Sequence, residues 1–264
     1  MNSSLHLENP VSTRPTPSPL RRTALVAAGA LALVIPTMFT ITITRMLLTG
    51  AEDDHRFHQL TGQGLLLCAL WLVPLVGLVR AGWSGRRPST AAGVQHLAVV
   101  ATGAVCALIA PGGGAPALMT VIAIPGALLW LALPRRPRLR VPVRLDPVLA
   151  PAALLASAVL VPYAIAQLRL QNATGTGYHA ENPHYFDMAW IAGVLVVLGL
   201  CAALLPTARR LGGWLGAGCT FVGAAGLLLG EPSGWALAQV TVGVLVLGST
   251  VARGRMPDPA DPAV

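Results

Sequence analysis

The sequence predicts an all-α polytopic membrane protein with about eight transmembrane helices. Of its 264 residues, 54% are hydrophobic and only 11% are charged, whereas a soluble domain carries roughly 25% charged residues. Apolar runs long enough to cross a bilayer as helices, about 20 residues each, recur from end to end. Once they are assigned, no polar segment long enough for a water-soluble enzymatic domain remains. The mean hydropathy of +0.66 agrees.

Taken in order, residues 1–22 are rich in Pro, Ser and Thr, end in Arg21-Arg22, and read as a disordered cytoplasmic tail that includes His6. The apolar run that follows is too long for a signal peptide and has no small-x-small cleavage site after it, so it reads as a retained span. Spans are expected at about 23–48, 59–79, 91–110, 115–133, 147–168, 186–205, 211–229 and 234–252. Pro36, Pro74, Pro125 and Pro162 fall inside them and mark kinks, which membrane helices tolerate where neighbours satisfy the freed carbonyls. Gly212 and Gly216, then Gly223 and Gly226, give the seventh span a small-residue pattern suited to close helix packing. Residues 253–264, with their prolines and aspartates, read as a second disordered cytoplasmic tail.

Arginine placement sets the topology. All eighteen basic residues are Arg, and fifteen of them fall in the N-terminal tail, the 80–90 loop, the 134–146 linker, the 206–210 turn and the C-terminal end. Only Arg45, Arg56 and Arg169 belong to the other side. By the positive-inside rule both termini are then cytoplasmic, which an even number of spans permits. Six of the ten acids (Glu52, Asp53, Asp54, Glu181, Asp187 and Glu231) fall on the opposite, external side. The absence of Lys, with abundant Ala, Gly, Pro and Val, suggests a GC-rich bacterial genome and hence a bacterial cell membrane. The formal charge of +8 is spent on topology rather than gathered into a basic face, so nucleic-acid binding is excluded. The expected partner is the lipid bilayer, with the 134–146 loop able to touch anionic headgroups; protein partners are not specified.

An internal repeat of four spans plus four is suggested, with halves at 23–133 and 147–252 joined by the Arg-rich linker 134–146. Arg45 closes the first span and Arg169 the fifth, and His58 and His184 open the spans that follow. The halves run in the same direction, and an interface between repeats is a usual place for a site.

Two polar loops interrupt the oily scaffold: Glu52–His58 (Glu-Asp-Asp-His-Arg-Phe-His) and Tyr178–His184 (Tyr-His-Ala-Glu-Asn-Pro-His). They hold four of the six histidines. His55 and His58 are three apart and would share a helix face. His179 and His184, with Pro183 between them, belong to a loop leading into the sixth span. Imidazole is the commonest protein ligand for Zn, Cu and haem iron, so His55, His58, His179 and His184 are the candidate metal ligands. If the halves pack as a pseudo-symmetric pair, His58 and His184 approach each other. Arg45 and Arg169 would then lie about a turn or more deeper, where they could pair with haem propionates or with the acidic loops. The plain alternative is that these loops are solvated, that the two arginines snorkel to lipid phosphates, and that Tyr178, Tyr185, Phe186 and Trp190 form an interfacial aromatic belt.

The eight-span, four-plus-four plan with histidines near helix ends resembles haem A synthase and related haem-binding membrane proteins. That family places paired histidines on alternate helices of each half. Here the fourth and eighth spans contain none, and His96 of the third lies near the cytoplasmic end. The Arg-rich inner loops, with a His-x-x-x-x-His outer loop before Met188-Ala189-Trp190, resemble uncharacterised multi-pass membrane proteins of high-GC bacteria.

Other chemistries find little support. Cys68, Cys106, Cys201 and Cys219 all fall inside spans with no Cys-x-x-Cys spacing, so they read as small hydrophobes. Gly112-Gly113-Gly114 lacks the Lys and Ser/Thr of a phosphate loop. Span midpoints are bare of charge, which argues against ion-coupled transport. The leading expectation is a non-enzymatic membrane protein with a metal or cofactor at its outer face. The alternative is a haem-binding redox protein with His58 and His184 as axial ligands, and a third reading is a small-molecule transporter.

Overall fold

A computed structural model describes residues 18–51, 55–62 and 64–256; most of both terminal tails, and Glu52, Asp53 and Asp54, lie outside the described residues. Within them the chain is all-α. Eight helices are long and apolar enough to cross a membrane. The spanning helices are α1 (Pro19–Thr49), α3 (Leu65–Trp83), α4 (Thr90–Ile109), α5 (Ala115–Ala132), α6 (Leu149–Ala173), α8 (His184–Leu204), α9 (Leu211–Leu229) and α10 (Ser233–Arg255). Two short helices, α2 (Arg56–Leu60) and α7 (Tyr178–Glu181), precede α3 and α8. At about 1.5 Å per residue, helices of this length match a hydrocarbon layer about 30 Å thick. Leu108 and Leu228, among the most exposed apolar side chains, belong to the surface that lipid covers.

The expected second span, 59–79, is divided. A tight turn separates α2 from α3, because a Cβ at Gly64 would collide with the Gln59 carbonyl. Only glycine fits there. The expected prolines do lie within helices, and one turn after Pro36 the Thr40 hydroxyl donates back to the Pro36 carbonyl at 2.7 Å.

Helix packing follows one order in both halves. In the first, α1 packs on α3 and α5, α3 on α4, and α4 on α5; in the second, α6 packs on α8 and α10, α8 on α9, and α9 on α10. The main contact between halves is α4 against α8. Helix α8 is therefore central, and it is the most deeply buried span. The closest approach is α9 against α10. A Cβ at Gly223 would stand 2.5 Å from the Ala236 carbonyl oxygen, and one at Gly216 would stand 2.8 Å from the Leu247 nitrogen. The glycines bring the two backbones together, and dispersion and packing replace the hydrophobic drive that lipid cannot supply.

At the arginine-rich end, Asp146 ties the halves' linker to the bundle. Its Oδ1 accepts from the backbone N–H groups of Val148 (3.1 Å) and Leu149 (3.2 Å), capping the start of α6. Its Oδ2 receives Arg253 of α10 at 2.6 Å and Arg209 at 3.0 Å. Burial alone would raise the pKa of this carboxyl. The Arg253 hydrogen bond, the two backbone donors and the Arg253 charge outweigh that and hold it below its ordinary value. His96 is also buried near this end, and its Nδ1 accepts the Trp130 indole N–H at 3.1 Å.

Candidate metal centre

The two histidine pairs meet at the opposite end of the bundle. One pair is carried by the short helix α2 and its cap, the other by α7 and the start of α8, so the cluster exists only because the halves pack together. His55 caps α2 and His58 lies within it; His179 belongs to α7, and His184 is the first residue of α8. Ring centroids lie 5.0 Å apart for His55–His184, 5.3 Å for His55–His179, 5.1 Å for His179–His184 and 5.1 Å for His58–His184. Tyr178 and Tyr185 border the group, 4.8 Å from His55 and 5.0 Å from His179 respectively.

Three of these residues can present ligand nitrogens to one point. The ligand atoms of His55, His179 and His184 lie within 4.8 Å of one another. Metal–nitrogen bonds of about 2.0–2.1 Å in a tetrahedral site put ligand nitrogens about 3.4 Å apart, so small side-chain rotations would close the triad on an ion. His184 is the focus. It is only 1% exposed, and neither ring nitrogen has a hydrogen-bond partner among the described residues. Nδ1 of His58 and of His179 are likewise buried and unsatisfied. Unpartnered buried polar atoms are uncommon and each calls for a cause; four of them on three converging imidazoles make a donor set able to hold a metal ion. The pKa of His179 is held below its ordinary value, first by burial and then by the neighbouring His55 charge. That favours neutral imidazole, the form that binds metal.

The scaffold positions the cluster through neighbours that the polar loops do not advertise. The Arg56 guanidinium donates to the Leu47 carbonyl at 2.8 Å, and the Gln59 amide to the Ala51 carbonyl at 2.9 Å, which pins α2 to the end of α1. Thr61 sits over Met188, its hydroxyl 3.2 Å from the sulfur, which seats the α2–α3 turn on the first turns of α8. On the other side Gln171, at the end of α6 and buried, bridges both ligand segments. Its Nε2 donates to the His179 carbonyl at 3.2 Å, and its Oε1 accepts the Phe186 backbone N–H at 3.1 Å. A single buried amide thus sets α7 against α8. Sequence reasoning missed it, because the end of α6 also holds Gln167, Arg169 and Asn172 and nothing local sets Gln171 apart from them. Gln171→Leu is expected to weaken metal binding about 10-fold or more, within the range for residues that orient ligands; a titration with a competing chelator measures it.

Arg45 and Arg169 are both exposed on the surfaces of their helices. Neither makes a hydrogen bond or ion pair to the histidines among the described residues. The expected aromatic belt divides: Tyr178 is exposed, but Phe186 and Trp190 are buried. Trp190 turns inward, donating its indole N–H to the Val99 carbonyl of α4 at 2.7 Å. Asp187, grouped with the external acids in sequence, is also buried. It follows His184 by three residues on a helix, so the pair shares one side of α8. No family model, curated protein or solved structure matches the chain.

Proposed function

We propose that this is a membrane-embedded transition-metal protein whose ion is held by His55, His179 and His184, with His58 as a fourth imidazole beside them. The observation that carries this reading is His184: a fully buried ring with both nitrogens unpaired, facing two further histidines whose ligand atoms fall within 4.8 Å. An all-imidazole donor set suits copper, zinc, iron or nickel. By the positive-inside reading the site lies at the outer face, because fifteen arginines gather in the segments of the other end.

The haem form of this reading takes His58 and His184 as axial ligands, and their approach to 5.1 Å brings that expected pair together. The same contact, with His55 and His179 packed on the same ring, favours one shared ion. Axial ligands of a haem face each other across the macrocycle, which would have to separate the two rings. Arg45 and Arg169, both exposed, offer nothing to propionates in this arrangement.

Elemental analysis of detergent-purified protein, taken together with its reduced-minus-oxidised visible spectrum, tests both forms. About one equivalent of a first-row metal with no Soret band supports the histidine-bound ion. A Soret and α-band would move the assignment to haem. Metal-free protein that takes up neither zinc nor copper under chelator competition overturns the proposal.

A further inference from the structure

A groove of about 490 Å³ runs between α4 and α5 at the arginine-rich end, away from the histidine cluster. Its lining includes His96 and Leu97 of α4, Gly126, Trp130 and Leu131 of α5, and Arg136 of the linker. Leu97 and Leu131 are exposed, which opens the groove to lipid. His96 is only 3% exposed. Because its Nδ1 accepts the Trp130 indole N–H, the ring carries its own proton on Nε2. That Nε2 has no hydrogen-bond partner among the described residues. The edge that bears it is turned toward Gly126: a Cβ there would stand 2.9 Å from both Cε1 and Nε2, with no other ring atom within 4 Å. Gly126 lines the groove too, so the unpaired N–H stands where a glycine leaves the wall open.

The rim is held in place by the linker. A Cβ at Gly93 would stand 2.7 Å from Pro137, and the Thr90 hydroxyl donates to the Arg138 carbonyl at 3.1 Å. Both contacts seat the linker on the first turn of α4, with Arg136 between them and the end of α5. The groove therefore offers a cation at its rim, a buried N–H donor one to two turns deeper, and an apolar wall. A donor inside the membrane finds no water and needs an acceptor that lipid can bring. A phospholipid sets its groups in the same order: phosphate, then ester carbonyls, then acyl chains. We propose that the groove holds one anionic phospholipid, its phosphate on Arg136, an ester carbonyl accepting from His96 Nε2, and an acyl chain along the α4–α5 wall. The negative headgroup is the one that an arginine at the membrane surface selects.

The test is a native mass-spectrometric titration of delipidated, full-length protein with three probes: diester phosphatidylglycerol, its diether analogue without carbonyls, and diester phosphatidylcholine. One tightly held phosphatidylglycerol is expected. It should be retained about two- to tenfold better than the diether, the worth of one net hydrogen bond, and about fivefold better than phosphatidylcholine, the worth of one arginine at the surface. His96→Phe should abolish the ester preference and keep the anionic one. Arg136→Gln, at an exposed position, should do the reverse. Equal retention of diester and diether, equal retention of the two headgroups, or many loosely held lipids with no tight one would each overturn the proposal. So would an ester preference that survives His96→Phe, or an anionic preference that survives Arg136→Gln. The diester–diether comparison on the unmodified protein decides the matter even if His96→Phe does not fold.

Discussion

His184→Ala is expected to abolish stoichiometric metal binding while the bundle stays folded. His184 alone has its ring centroid within 5.1 Å of all three others, and its loss leaves His55, His58 and His179 with centroids 5.3–6.5 Å apart, without the triad of converging ligand atoms. Affinity should fall by more than the 10–100-fold typical of losing a residue that merely orients a ligand, on the order of 100-fold or beyond. Truncating a buried imidazole also leaves a cavity, so a modest fall in thermal stability should accompany it. The diagnostic feature is a dissociation. Metal-free wild type and variant should differ little in melting temperature, whereas adding zinc should raise that of the wild type alone, because a ligand that binds only the folded state stabilises it. If zinc raises both equally, His184 is not a ligand. His58→Ala separates the coordination alternatives: it should weaken binding less than His184→Ala if His58 is accessory, and equally if the pair forms the axial set of a haem.

The second large effect is expected at the other end of the molecule. Asp146→Asn should destabilise the protein by about 3–5 kcal/mol, the range for removing one partner of a buried ion pair. Arg253 and Arg209 would then face each other near an uncharged amide, with Arg253 only 6% exposed. The amide can still cap α6 through its oxygen, so the loss reports the ion pairs rather than the cap. Because the native carboxyl titrates below its unfolded value, its contribution is complete above the unfolded pKa of about 3.9 and is lost as the pH falls through the lower native value. The gap in melting temperature between wild type and variant should therefore stay constant from about pH 8 to pH 5 and close only in more acidic solution. A gap that narrows near neutrality would point to a different titrating group.

Both predictions join residues that are far apart in sequence. The local signals are plain along the chain. Apolar runs of bilayer length, prolines within them and small-residue spacing in α9 all express one-dimensional physics: a helix in lipid must satisfy its own backbone and present apolar side chains outward. The eight spans were legible for that reason. The histidines were legible as candidates because four of them sit in polar loops against an apolar background, and residue type and spacing are enough to show that.

Only tertiary structure decided which of those polar residues converge. Arg45 and Arg169 precede the histidine loops with matching spacing in the two halves, yet each lies on an exposed helix surface, because the rotation of a helix about its own axis is set by packing and not by distance along the chain. Asp187 reads in sequence as an external acid and Phe186 and Trp190 as interfacial aromatics, and all three are buried, as is Gln171. Their positions follow from α8 being the central helix, packed on α4, α6 and α9. What the sequence determined by itself was therefore the membrane class, the number of spans and the inventory of possible ligands. The convergence of the histidine cluster and its Gln171 bridge came from helix-on-helix packing, a property of contacts between segments that no single segment encodes.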